Sequence, residues 1–197
     1  MSNTNLPISR EKAWELVKKY NSDSSDLKHY LESEAVMREL ARHLHEDENY
    51  WGILGLVHDI DWGLTKSDTK THLTKAPEIL RQAGFDQEFI EIILSHGYGY
   101  EELLHLKSKK RIKKIEFALA ASETITGLIH AYALMRGNRI SDMEAKGLMK
   151  KFKDKTFAAK VSRDMIKEIE VLGVTLDEVF KIAIEGIKKI KEQVGLI

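Results

Sequence analysis

An all-α fold is predicted by three features of this 197-residue chain. Apolar residues recur at three- and four-residue spacing along nearly its whole length, as helices with one buried face require. No stretch alternates at period two, as a half-buried strand would. Only two prolines interrupt the pattern, and helix-capping residues stand before most of the apolar runs. A hydrophobic fraction of 43% can bury one sizeable core in a chain of this size, so one domain spanning 1–197 is expected. There is no internal repeat and no low-complexity linker.

The elements follow in order. Ser9 is a cap for a first helix that puts Ala13, Trp14, Val17 and Tyr20 on one face. Asp26 is read as the cap of a longer helix carrying Leu27, Tyr30, Leu31, Val36, Leu40 and Leu44. A third helix runs from Asp47 through Trp51, Leu54 and Val57. From Asp61 to Thr71 the periodicity lapses among Thr, Ser, Asp and Lys, which predicts a loop. The next helix spans about His72 to Gln82, with Pro77 acceptable only in its first turn, where amide donors have no helical partner. Asp86 caps a helix that aligns Phe89, Ile92, Ile93 and His96.

A long apolar helix is expected from Ile112 to Met135. Ser141 with Glu144, and Thr175 with Glu178, have capping-box spacing and predict helices ending near Lys151 and Lys191. Between them a helix from Ser162 ends at Gly173, a residue type suited to the position just past a helix.

Composition narrows the function. Lys+Arg and Asp+Glu number 31 each, so no global field draws nucleic acid or an anionic membrane. Cysteine is absent; disulfides and thiolate ligands are excluded, and any metal must be held by histidine and carboxylate. No apolar run approaches the ~20 residues of a membrane span, and Met1–Pro7 lacks the apolar core of a signal peptide. A cytoplasmic protein with no membrane partner is expected, its oligomeric state open. The basic cluster Lys107–Lys114 lacks the interleaved aromatics of a stacking platform and reads as a solvated surface.

The pair His58-Asp59 carries the most chemistry. It lies where the apolar run Trp51–Val57 ends, so an imidazole and a carboxylate emerge together from the edge of a core. Both can turn to one ion where a helix is ending, whereas adjacent residues in mid-helix diverge by about 100°. His29 lies upstream; His72, His96 and Glu123 lie downstream, each on or beside an apolar helical pattern. Taken alone, His29 and His96 also suit core or capping positions. Glu123 sits in the small and apolar run Phe117–Ile129, where an unpaired carboxylate costs several kcal/mol; a metal or a basic side chain would satisfy it. Together these residues form a candidate metal site. Asp61 is a candidate proton acceptor or outer partner, with a solvated loop acid as the alternative, and Lys66 is a candidate contact for a substrate phosphate. Gly97-Tyr98-Gly99-Tyr100 reads as a rim over the site or a plain helix-ending loop. His43, His45, His105 and His130 fit no ligand series.

The ordered set His29, His58-Asp59 and a late helical acid resembles the HD-domain superfamily of metal-dependent phosphohydrolases. Lys28-His29-Tyr30 through Glu34-Ala35-Val36-Met37 is similar to the first-histidine helix of that family. Thr71-His72 through Ile79-Leu80, and Ile93-Leu94-Ser95-His96, resemble the extra histidines of its binuclear subset. Thr126-Gly127-Leu128-Ile129 and Lys151–Ala158 resemble a small group of stand-alone HD proteins.

The resemblance implies a helical bundle of the HD type, with a metal-site core at about 26–136 and a C-terminal helical part at about 137–197. It implies His29, His58, Asp59 and Glu123 as ligands of a first metal, and His72 and His96, joining Asp59, around a second. One tightly held divalent transition ion is expected (Mn, Fe, Co, Ni or Zn), with at most a second of lower affinity. The implied activity is hydrolysis of a nucleotide or another small phosphorylated metabolite by metal-activated water, with Asp59 both ligating and orienting. A metal-stabilised binding module without turnover is the alternative, and a di-iron oxygenase on the same scaffold a further one. Three positions depart from the pattern: Glu123 replaces the usual Asp, Trp62 replaces the lysine of HD-GYP cyclic dinucleotide phosphodiesterases, and Gly97 replaces the second of their paired histidines.

Overall fold

The computed structural model describes residues 6–197. The expectation about Met1–Pro7 therefore falls mostly on residues 1–5, outside the described residues. The elements are α1 (Arg10–Tyr20), α2 (Ser24–Leu44), α3 (Glu48–Val57), α4 (Trp62–Thr65), α5 (Ala76–Gln82), α6 (Gln87–Ser95), α7 (Lys114–Met135), α8 (Ala145–Lys153), α9 (Arg163–Lys167) and α10 (Leu176–Lys189). Short 3-10 turns occupy Thr69–Thr71 and Glu168–Leu172. No strand is present among the described residues, so the fold is all-α.

Local capping accounts for many boundaries. Ser9, Asp47, Asp86 and Ser162 each accept a hydrogen bond from an amide of the following turn, satisfying donors that have no helical partner. Thr175 and Glu178 close a reciprocal capping box. Four expectations are corrected. The cap of α2 is Asp23, which accepts from the Ser25 amide; Asp26 instead sits in the first turn, where its charge complements the helix dipole. Within the expected loop at Asp61–Thr71, α4 forms with the Thr65 hydroxyl donating to Asp61 O (3.0 Å). Helix α5 starts at Ala76 rather than near His72. Helix α8 starts after Glu144 without a side-chain cap, because the Ser141 amide bonds to Ile197 O (3.1 Å).

Helix α2 is the hub, packed by α3, α7 and α10. A Cβ at Gly55 would lie 2.6 Å from Ser33 O, so α3 approaches the α2 backbone closely only because that position has no side chain. The core includes Tyr30, Met37, Leu40, Leu54, Phe89 and Phe180, all at most 2% exposed. Contrary to the expectation from apolar runs, α7 is long and apolar enough to cross a membrane by length and composition. In the fold it is a core helix, with 61% of its apolar window buried against α2, α6, α8 and α9. In the basic cluster, Lys107, Arg111 and Lys113 pair with Glu101, Glu168 and Glu88.

Candidate metal centre

Four elements deliver the donor atoms. His29 comes from the second turn of α2, His58 and Asp59 from the end of α3, His72 from the turn before α5, and His96 from the end of α6. His58 is fully buried, and its Nδ1 lies 2.8 Å from Gly55 O. A carbonyl only accepts, so Nδ1 carries the proton. Burial pushes the His58 pKa down to about 3; the ring is neutral and Nε2 is bare. His96 repeats the arrangement, with Nδ1 2.7 Å from Ile93 O. On His29, Nδ1 lies 2.9 Å from Thr126 Oγ1, and the Thr126 proton is committed to Glu123 O at 2.6 Å. His29 Nδ1 is therefore the donor, which leaves its Nε2 bare too.

The consequence is chemical. His29 Nε2 and His58 Nε2 face each other at 3.1 Å with no proton between them when both rings are neutral. Two lone pairs so placed repel unless a cation sits between them. Donors bonded to one ion at about 2.0–2.1 Å lie roughly 3.0–3.4 Å apart, so the spacing fits a metal.

Asp59 ties the centre together. Its Oδ2 lies 3.5 Å from His58 Nε2 and 4.0 Å from His29 Nε2. Its Oδ1 lies 3.0 Å from His96 Nε2 and 3.2 Å from His72 Nε2. One carboxylate thus faces two histidine pairs, and His29–His58–Asp59 and Asp59–His72–His96 each form a compact cluster able to hold an ion. Burial opposes a charge on Asp59, but the surrounding imidazoles hold its pKa well below the usual carboxylate range. Burial likewise opposes charge on His72, yet Asp59 and Asp61 outweigh it and raise that pKa to about 10. His72 Nε2 and His96 Nε2 are 3.4 Å apart, so the second cluster is nearly as compact as the first.

Glu123 stands beside these clusters. Its Oε2 is 4.0 Å from His29 Nε2, and Thr124 donates to its other oxygen. No lysine or arginine pairs with it among the described residues, which removes the basic-side-chain reading apart from His29. Burial raises its pKa. The extra methylene brings the carboxylate close to the first cluster without joining its tight donor set.

Asp61 is no solvated loop acid. It is fully buried and accepts from the amides of Leu73 (3.2 Å), Lys75 (2.9 Å) and Ala76 (3.2 Å). With both oxygens taken by amides it anchors the turn that carries His72, whose Nδ1 is 3.3 Å from Asp61 Oδ1; no atom meets hydrogen-bond geometry with that nitrogen. Asp61 thus positions the turn that carries His72. Lys66 lies on the surface, its Nζ paired with Asp23 (3.4 Å) and Asp26 (3.2 Å). Trp62 packs edge-on against the His72 ring. A Cβ at Gly97 would lie 2.6 Å from Leu73 Cδ1, so a larger residue at this buried position would have to displace the Leu73 side chain.

Three residues at the centre carry no site signal of their own in the sequence. Thr126 orients His29. Asn21, 2% exposed, donates to Ile60 O (3.0 Å) and accepts from the Gly63 amide (2.7 Å), clamping the turn after Asp59. Tyr30 hydrogen-bonds Asn21 and Asp59 O. Tyr100, on the rim after His96, lies beside Glu123 and Asp59; burial and then those carboxylates raise its pKa. That rim is pinned rather than free, because Arg111 donates to Ser95 O (2.7 Å) and Tyr98 O (3.1 Å).

An all-helical bundle with two histidine clusters sharing one carboxylate defines a scaffold able to hold metal ions. The chain matches the family model for the HD domain over residues 26–134, more than half its length, and it belongs to that family of metal-dependent phosphohydrolases. No curated protein and no solved structure matches it.

Proposed function

We propose that this protein hydrolyses a phosphoester of a nucleotide or another small phosphorylated metabolite. The observation that supports this best is the Asp59 carboxylate, which turns one oxygen to each histidine pair. In this reading His29, His58 and Asp59 hold one divalent transition ion and Asp59, His72 and His96 a second. When bound, such ions supply a Lewis acid for a phosphoryl oxygen and an activated water.

The chain's own residues do the positioning. Gly55 O, Ile93 O and the Thr126 hydroxyl fix three imidazoles in the tautomer that offers Nε2, so little reorganisation remains when ligands bind. Asp61 sets the His72 turn. Glu123 faces the first cluster from α7 and is placed to accept a proton from, or hold, a group lying between itself and His29.

The test is release of phosphate by purified protein loaded in turn with Mn, Fe, Co, Ni or Zn. The substrates are p-nitrophenyl phosphate, its bis-ester and a panel of nucleoside monophosphates. Metal-dependent release, lost on chelation and restored by re-addition, is the expected result. Bound metal with no release from any substrate would overturn the reading in favour of a binding module.

A further inference from the structure

A cleft of about 340 Å³ opens between the start of α2 and the middle of α7, at the small end of the roughly 300–1,000 Å³ typical of small-molecule sites. It shares a wall with the metal centre, because His29 and Thr126 line it as well. Lys28, His130 and the Glu32 that pairs with His130 also line it, and Ala131 and Leu134 give it an apolar side.

Lys28 is half-buried and pairs with no carboxylate among the described residues, unlike Lys66, which is held by Asp23 and Asp26. His130 has Nδ1 tied to Glu32 at 2.7 Å, so only Nε2 is left for a ligand. The Lys28 ammonium rests beside Gly195 and, as the weakest of the influences on it, disfavours charge on His130. A multiply charged anion joining them would relieve that repulsion, and lysine is a ready point charge for phosphate.

We propose that this cleft is a phosphate-binding subsite in which Lys28, with His130 as a second donor, holds a phosphate on the non-reacting end of the substrate. The reacting ester then lies on the His29 side, so the class of substrate is a small metabolite bearing two phosphate groups. The identity of what carries the phosphate rests on the phosphohydrolase reading; the subsite itself does not.

The experiment titrates chelator-stripped, isotope-labelled full-length protein with inorganic phosphate and follows amide resonances. Shifts centred on Ser25, Lys28, Gly127 and Ala131 are expected. Lys28→Met, which keeps the aliphatic stem, should weaken binding by about five-fold or more, and Lys28→Arg should stay within about two-fold of wild type. The amide spectrum of each variant reports its folding. Absence of cleft shifts, shifts confined to the surroundings of Asp59 and His96, or unchanged affinity in Lys28→Met would overturn the proposal. No metal is present in this titration, so phosphate binding in the cleft alongside failed hydrolysis by metal-loaded protein would sink the phosphohydrolase reading alone.

Discussion

His58 and His96 are held by the same device on two different helices. Each is the first residue past its helix, each keeps right-handed helical backbone, and each donates Nδ1–H to the carbonyl three residues back, at 2.8 Å and 2.7 Å. Both rings therefore aim Nε2 at the Asp59 carboxylate. Each cluster thus has one histidine fixed in this way, but the first also has His29 fixed by Thr126, whereas His72 Nδ1 has no hydrogen bond and the pKa of that ring is raised to about 10, so an ion there must displace a proton. Titration of metal-free protein should accordingly show two equivalents taken up, the second more weakly than the first. The double variant His72→Ala with His96→Ala should keep one equivalent and lose at least about 100-fold in turnover. Full activity of wild type at one equivalent would show that the second cluster has no part in the reaction.

Asp59→Ala should strip both clusters at once, because the same carboxylate faces both. Metal content should fall near zero and phosphate release to background, while the helical circular dichroism stays close to wild type. The side chain is 16% exposed at the edge of the core, so its loss leaves no large cavity. Retained metal with retained activity would show the shared carboxylate to be dispensable.

Much of this centre was legible in the sequence because its histidines sit on periodic helical faces or at helix ends. His29, His58 and His96 could be placed from the apolar pattern, and His58-Asp59 from the end of an apolar run. Residues whose partners are distant in sequence were not legible. Asp61 looks like a loop acid until the amides of Leu73, Lys75 and Ala76 fold over it. Lys66 looks free until Asp23 and Asp26, some forty residues away in sequence, come beside it. Thr126 has no local mark at all, because its role depends on α7 crossing α2 at His29. The cap of α2 was misplaced for a simpler reason: Asp23 and Asp26 both suit a helix start, and local sequence does not choose between them.

Thr126→Val removes the hydroxyl that orients His29 while keeping the shape of the side chain. His29 Nδ1–H loses its acceptor and the ring its tautomer lock. Metal affinity of the first cluster should fall by about 10–100-fold, with the second cluster changed less. Competition with a chromophoric chelator measures both. Equal affinities in variant and wild type would show that the ring is held by packing alone.

Gly55→Ala tests the contact between α2 and α3. The new Cβ would lie 2.6 Å from Ser33 O and 2.8 Å from Ser33 C. These are backbone atoms and cannot swing aside. Stability should fall by about 3 kcal/mol, read by urea unfolding. The shift of α3 also moves Gly55 O, the acceptor for His58, so metal affinity should drop with stability. A variant as stable as wild type would mean the two helices separate without cost.

The ion pair between His130 and Glu32 gives a pH dependence whose sign is fixed. Glu32 has a side chain only 3% exposed, and its hydrogen bond raises the His130 pKa against the opposing effect of burial. The folded state therefore binds the imidazole proton more tightly than the unfolded chain does, where the value is about 6.5. The stabilisation is complete below that unfolded value and is lost as pH rises through the folded one. Comparing wild type with His130→Gln by urea unfolding should give a gap on the order of 1 kcal/mol near pH 6, shrinking steadily towards about pH 9. A gap that stays constant over this range, or widens as pH rises, would show that protonated His130 contributes nothing through Glu32.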